Sequence, residues 1–168
     1  MIQIGDANVR IHKVTRNGWL AYGIGVSVII LDQITKIVVL GLPERVSQPL
    51  FGPLQLTRIW NGGVSFGLFQ ASHDLVRWGF VVFSVIVAML LAAWARSQVR
   101  LLPAAGLGLV IGGALGNAID RARFGAVVDF VDVTAIGFFP WIFNVADSAI
   151  TVGVVLLLLD SLRRERPA

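Results

Sequence analysis

The chain has 168 residues, of which 56% are hydrophobic and only 14% charged, with a mean hydropathy of +0.79 and a formal net charge of +4. So little charge excludes an ordinary water-soluble globule, and abundant Leu, Val and Ile exclude disorder, while 18 Gly without a triplet period exclude collagen. The absence of Cys removes disulfides, thiolate chemistry and Cys-based metal sites, and the basic balance does not point to nucleic acid, because the basic residues sit between apolar runs rather than along one solvated stripe.

A helix needs about 20 apolar residues to cross a bilayer core, and the sequence holds four such runs. The first spans about 18–40, stopped by Gly41 and Pro43, and is too long for a signal-peptide core. Near its middle stands Asp32, with Lys36 four residues on along the same helical face, roughly 6 Å nearer the outer end, and Gln33 and Thr35 between them. An ionisable group there costs about 2.5 to 3.5 kcal/mol to insert, so it needs a partner. An intrahelical ion pair would meet that need, and so would a polar site at the outer end of the bundle.

The segment of about 41–74 that follows is long. Leu54, Leu56 and Thr57-Arg58-Ile59-Trp60 are strand-like between Gly52-Pro53 and Asn61-Gly62-Gly63. The second span covers about 75–95, with Trp78 and Trp94 near its ends as interfacial aromatics. The third covers about 101–119, with Pro103 in its first turn and Asp120 and Arg121 as its expected stop. Gly108, Gly112, Gly116 and Asp120 form one row along it, and Gly113, Asn117 and Arg121 the adjacent row. Glycine at that spacing admits a close neighbouring helix, which accounts for the glycines but not for the polar cluster.

The next loop, about 120–144, contains the β-branched run Val127-Val128-Asp129-Phe130-Val131 and the aromatic Phe138-Phe139-Pro140-Trp141, suited to lipid headgroups. Together the two long loops read as a small sheet on the membrane surface. The fourth span covers about 145–162 and ends at Arg163-Arg164-Glu165-Arg166. Eight Lys and Arg (Arg10, Lys13, Arg16, Arg96, Arg100, Arg163, Arg164, Arg166) fall on the side of the termini, against five (Arg45, Arg58, Arg77, Arg121, Arg123) on the other. Both termini are therefore expected in the cytoplasm.

Asp129 lies just after the third span and Asp147 opens the fourth, in Phe143-Asn144-Val145-Ala146-Asp147-Ser148-Ala149. Taken singly, Asp129 could pair with Arg121 or Arg123, and Asn144 or Asp147 could cap a helix. Taken together they bring two carboxylates to one interface. Two close carboxylates cannot both ionise, so one holds a proton while the other serves as a base, the pattern of aspartic proteases. No nucleophile or metal is needed. His12 and His73 stand far apart with no HExxH, so a histidine-ligated metal is not expected.

At these residues the sequence resembles lipoprotein signal peptidase, or signal peptidase II, over nearly its whole length. The resemblance rests on Asp32-Gln33-Ile34-Thr35-Lys36, Asn61-Gly62-Gly63-Val64-Ser65-Phe66, Gly112-Gly113-Ala114-Leu115-Gly116-Asn117 leading to Asp120-Arg121, Val127-Val128-Asp129-Phe130, and the segment from Phe143 to Ala149. Gly62 and Ser65 depart from the family's common form, where a larger polar residue and Ala are frequent. The resemblance implies one integral membrane domain over residues 1–168: an all-α core of four transmembrane helices with a small periplasmic sheet as a cradle. It further implies an aspartyl endopeptidase, without cofactor or metal, of the bacterial inner membrane. Its substrates would be diacylglyceryl-modified prolipoproteins, cut before the lipidated cysteine at the periplasmic face. Asp129 and Asp147 match the catalytic pair; Asn61, Asn117, Asp120, Arg121 and Asn144 match polar positions around it, and Asp32 and Lys36 match the first-span motif. The expected partners are this substrate and membrane lipid, with no nucleic acid, and the protein is expected to be a monomer.

Rival readings were a small four-helix transporter or channel with Asp32, Lys36 and Arg121 as a charge relay, and a serine protease using Ser65 with Lys36, or Ser65 or Ser72 with His73. The transporter needs polar residues through the full thickness, yet between Arg77 and Arg96 only Ser84 interrupts the second span. The serine readings lack a Gly-x-Ser-Gly context. A non-catalytic scaffold would not need paired outer carboxylates amid apolar sequence.

Overall fold

The computed structural model describes residues 2–4, 7–9, 13–63, 74–137 and 141–164. Val64, Ser65, Phe66, Ser72, His73, Phe138, Phe139 and Pro140, together with Arg10, His12 and Arg166, lie outside the described residues. Among the described residues four helices are long and apolar enough to cross a membrane: α1 (Arg16–Val39), α2 (Asp74–Ala95), α3 (Leu101–Phe124) and α4 (Val145–Arg164). Six strands accompany them among the described residues. β1 (Ile2–Ile4) and β2 (Ala7–Val9) pair antiparallel near the N-terminus, a ladder too short to have been read from its pattern. β3 (Gln48–Phe51), β4 (Leu54–Asn61), β5 (Val127–Asp132) and β6 (Ile142–Phe143) form one antiparallel sheet in that order.

The sheet is built from the α1–α2 and α3–α4 connections, so it lies at the end of the bundle where α1 and α3 finish and α2 and α4 begin. β4 and β5 coincide with the strand-like runs of the sequence. β3 turns into β4 through Gly52, whose φ of +55° suits a residue without Cβ. Val39 at the end of α1 packs with Val128 and Phe130 of β5, and Leu56, Trp60 and Val145 close around them, so this small core fixes the sheet on the helix ends.

α3 is the hub, packed against α1, α2 and α4. Its glycines explain how. A Cβ on Gly112 would stand 2.6 Å from the Gly25 carbonyl oxygen, and one on Gly116 would stand 2.7 Å from the Asp32 carboxylate, so the Gly108/Gly112/Gly116 row admits α1. Gly113 faces the Ala146 carbonyl, and Gly106 the Gly153 carbonyl, so that side admits α4. Close backbone approach replaces the hydrophobic driving force that helices lack in lipid. Outward, large apolar side chains such as Ile30, Val38, Phe83 and Leu90 are exposed, as a lipid-facing surface requires.

One expectation is corrected. The third helix does not stop at residue 119 but continues to Phe124, and Gly125 at φ +82° ends it in the left-handed conformation, its N–H donating to the Arg121 carbonyl. Asp120, Arg121 and Arg123 are therefore helical rather than loop residues. The Asp120 charge is tolerated within the helix because Lys36, Gln33 and the Val128 N–H supply its partners.

At the opposite end, Thr15 caps α1 by accepting from the Gly18 N–H (2.9 Å), while its hydroxyl donates to the Gln98 carbonyl. Arg100 and Asp160 pair at 2.6 Å between the start of α3 and the end of α4.

Candidate active site

The nine residues that the sequence assigns to the acid site, Asp32, Lys36, Asn61, Asn117, Asp120, Arg121, Asp129, Asn144 and Asp147, all lie among those described, and the structure gathers them at the sheet end. The foundation is a buried cluster in which Lys36 Nζ lies 2.8 Å from both Asp32 Oδ2 and Asp120 Oδ2. Lys36, Asp32 and Asp120 are 2%, 0% and 0% exposed, so this is no surface pair. Asp32 is thus more than an intrahelical partner of Lys36: α3 supplies a second carboxylate. The other carboxylate oxygens are occupied too, since Asp32 Oδ1 accepts from the Ala146 N–H (3.0 Å) and Asp120 Oδ1 from Gln33 Nε2 (2.9 Å). Asp120 Oδ2 also accepts from the Val128 N–H at 3.1 Å. One cation with its two acids therefore joins α1, α3, α4 and the start of β5.

The second layer is amide. Lys36 Nζ also donates to Asn117 Oδ1 (3.1 Å), and Asn117 Nδ2 donates to Asp147 Oδ1 (2.8 Å). The two helical rows of α3 divide the labour, with Asp120 turned to α1 and Asn117 to α4. Asn144 is wholly buried and is the link between the acids. Its Nδ2 donates to Asp129 Oδ1 at 2.6 Å and also reaches Asn117 Oδ1 at 3.2 Å. Its backbone N–H donates to Asp147 Oδ2 (3.2 Å), while its Oδ1 accepts from the Asp147 N–H (2.9 Å). That reciprocal pair is a helix N-terminal capping box with Asp in the place of Glu or Gln, and it aims the Asp147 side chain as it starts α4.

Asp129 completes the site from β5. Its Oδ2 accepts from Asn61 Nδ2 at 2.9 Å, delivered by the last residue of β4 through the Ile59–Asp129 register. Pairing of Asp129 with Arg121 or Arg123, considered from sequence, is not what the structure contains: the amides of Asn61 and Asn144 hold it instead. Asp129 is 1% exposed whereas Asp147 is half-buried, so one carboxyl is shut away and its neighbour is reachable. Burial, and then the nearby Asp147 charge, push the Asp129 carboxyl up to about 7, although the Asn61 and Asn144 hydrogen bonds pull the other way. A proton held near neutrality beside an accessible carboxylate can serve general acid–base chemistry. Among the described residues no group of three or more His, Asp or Glu is placed to hold a metal ion.

Arg121 stands at the edge of this network, its guanidinium 5.2 Å above the Phe80 ring and within the fields of Asp147, Asp129 and Asp120. Gln33, Arg77 and Phe80 were not anticipated as site residues. Gln33 lies inside a motif, between Asp32 and Lys36, Arg77 enters the sequence reading only as one of the five basic residues on the outer side, and Phe80 carries no sequence signal.

Comparison with known proteins agrees with the motifs. A family model described as signal peptidase (SPase) II matches residues 24–163. The chain is 51% identical to a lipoprotein signal peptidase of Caulobacter vibrioides, over 91% of this chain and 92% of that one. It is 46% identical to one of Methylobacterium sp., over 82% and 85% respectively. Two solved structures, each of a bacterial membrane enzyme studied by the in meso method, superpose with TM-scores of 0.78 and 0.77 at 29% and 31% identity. They cover 95% and 91% of this chain, and 99% and 98% of theirs.

Proposed function

Since the chain belongs to the signal peptidase II family, the lipoprotein signal peptidases, and is thereby a protease of lipoprotein processing, we propose that Asp129 and Asp147 are its catalytic dyad. The enzyme is then an aspartic endopeptidase. The observation that carries this reading is Asn144, whose side chain holds one of the acids and whose main chain holds the other.

The chemistry follows from the unequal surroundings of the two groups. Asp129 holds the proton, and half-buried Asp147 is the base. Asp147 takes a proton from water as its oxygen attacks the scissile carbonyl, and Asp129 donates to the carbonyl oxygen, giving a neutral tetrahedral diol. Collapse breaks the C–N bond while a proton passes to the leaving amine, and the dyad is left with one shared proton as before. Asn61, Asn117 and Asn144 keep the acids oriented, and the Lys36 cluster keeps Asn117 oriented in turn. Arg121 offers hydrogen-bond donors to the main chain of an extended substrate.

The substrate is a diacylglyceryl-modified prolipoprotein, cleaved before its lipidated cysteine. The acyl chains need hydrocarbon and the peptide bond needs water, so a site at the outer ends of the spans suits both. With the termini in the cytoplasm, that end faces the periplasm of a bacterial inner membrane, and one copy of the chain suffices. Purified protein in detergent, given a lipidated prolipoprotein, should release the signal peptide, should leave the unlipidated precursor largely uncut, and should lose activity in Asp129→Asn and Asp147→Asn. Failure of the wild type to cleave, or full activity in either variant, overturns the reading.

A further inference from the structure

α2 contributes little packing at the sheet end. Its fully buried residues, Ala88 and Ala95, lie in the half remote from the sheet. Near its start, however, two side chains one turn apart reach α3. The Arg77 guanidinium is a two-pronged donor, with Nε 2.7 Å from the Arg121 carbonyl oxygen and Nη2 2.6 Å from that of Ala122. These are among the last carbonyls of α3, where the helix carries partial negative charge; the Arg121 carbonyl accepts the Arg77 donor in addition to the Gly125 N–H. The Asp74 carboxylate, 86% exposed and 3.6 Å away, competes only weakly for this cation. Phe80 places its ring under the guanidinium of the same Arg121. α2 therefore grips Arg121 at both its main chain and its side chain.

The held side chain is unusual. Arg121 Nε is buried with no hydrogen-bond partner among the described residues, and Nη1 makes only a long 3.5 Å contact to the Asn117 carbonyl. A buried donor without an acceptor costs stability, so something must offset it, and an incoming main-chain carbonyl would satisfy it. We infer that Arg77 and Phe80 are positioning residues that act through Arg121, aiming its free donors at the substrate main chain. The inference rests on the proposed peptidase function and adds to it the part played by the second helix.

A contact to the substrate main chain present in both the bound and the transition state appears in KM. A merely structural role would instead lower the amount of active enzyme and leave KM alone. In the prolipoprotein cleavage assay, Arg77→Gln should raise KM about tenfold, as for loss of a charge-assisted contact, and Arg77→Lys, which keeps the cation but not the fork, should fall between. Phe80→Leu keeps apolar bulk without the ring and should raise KM about threefold. In the Arg121→Gln background neither substitution should raise KM further, because the residue they act through is gone. Phe80→Leu carries the same test if Arg77→Gln does not fold. Unchanged KM with a lower maximal rate, or KM increases that multiply in the double variants, overturns the inference while wild-type cleavage leaves the peptidase function standing. Absence of cleavage by the wild type overturns both.

Discussion

Replacing Lys36 with Met removes the cation that is ion-paired with two buried acids at once. Lys36 Nζ sits 2.8 Å from each of Asp32 and Asp120, and both acids are 0% exposed. Water cannot reach in to compensate, and the acids also hold the Ala146 and Val128 amides that start α4 and β5. Breaking a buried pair by deleting one partner costs about 3 to 5 kcal/mol, because a charge is left without its counterion. For a chain of this size each kcal/mol is worth roughly 2 to 4 °C, so the melting temperature should fall by roughly 6 to 20 °C. Thermal melting followed by tryptophan fluorescence in detergent reads this directly, with five Trp as reporters. The exposed Arg45–Glu44 contact, at 3.6 Å with Arg45 82% exposed, provides the control, since such pairs contribute little. Glu44→Gln should therefore leave the transition in place. A Lys36→Met transition as high as that of Glu44→Gln would refute the idea that this cluster is a structural anchor of the site.

Cleavage should decline as pH rises through about 7, because Asp129 must carry its proton to act as the acid. The same group binds its proton more tightly folded than unfolded, so its contribution to stability is full below about 3.8 and fades as pH climbs towards about 7; thermal melts across that window check the sign. Gly112→Ala should destabilise by about 1 to 3 kcal/mol, since its methyl would press on the Gly25 carbonyl at 2.6 Å, whereas Gly23→Ala, with open space around it, should not; paired thermal melts decide. Asn144→Ala removes a helix cap and the amide on Asp129 together, and should cost about 1 to 2 kcal/mol of stability and at least tenfold in cleavage rate.

The spans, the two strands nearest the acids and the polar cluster could all be read from the sequence because each leaves a periodic mark. Gly108, Gly112 and Gly116 repeat every helical turn, and the structure turns that row to α1. The end of α3 could not be read in the same way. Asp120 looks like a stop only while its partners are unknown, and those partners, Lys36 and Gln33, come from a helix some 85 residues earlier. β3 and β6 escaped because four and two residues carry no useful alternation, and they are strands only by pairing with β4 and β5. Arg77 escaped for a related reason: a charge at a helix start reads as an interfacial anchor, and nothing local reveals that its acceptors are carbonyls on another helix.

The proton assigned to the acid pair can be observed without any substrate. Infrared difference spectra of the purified protein, taken well below and well above neutrality, report the carbonyl stretch of a protonated carboxyl group. A component that titrates near 7 should appear in the wild type, vanish in Asp129→Asn, and move to lower pH in Asp147→Asn, where the neighbouring charge is gone. A component that survives unchanged in Asp129→Asn, or no titration near neutrality at all, would contradict a shared proton between the β5 and α4 acids.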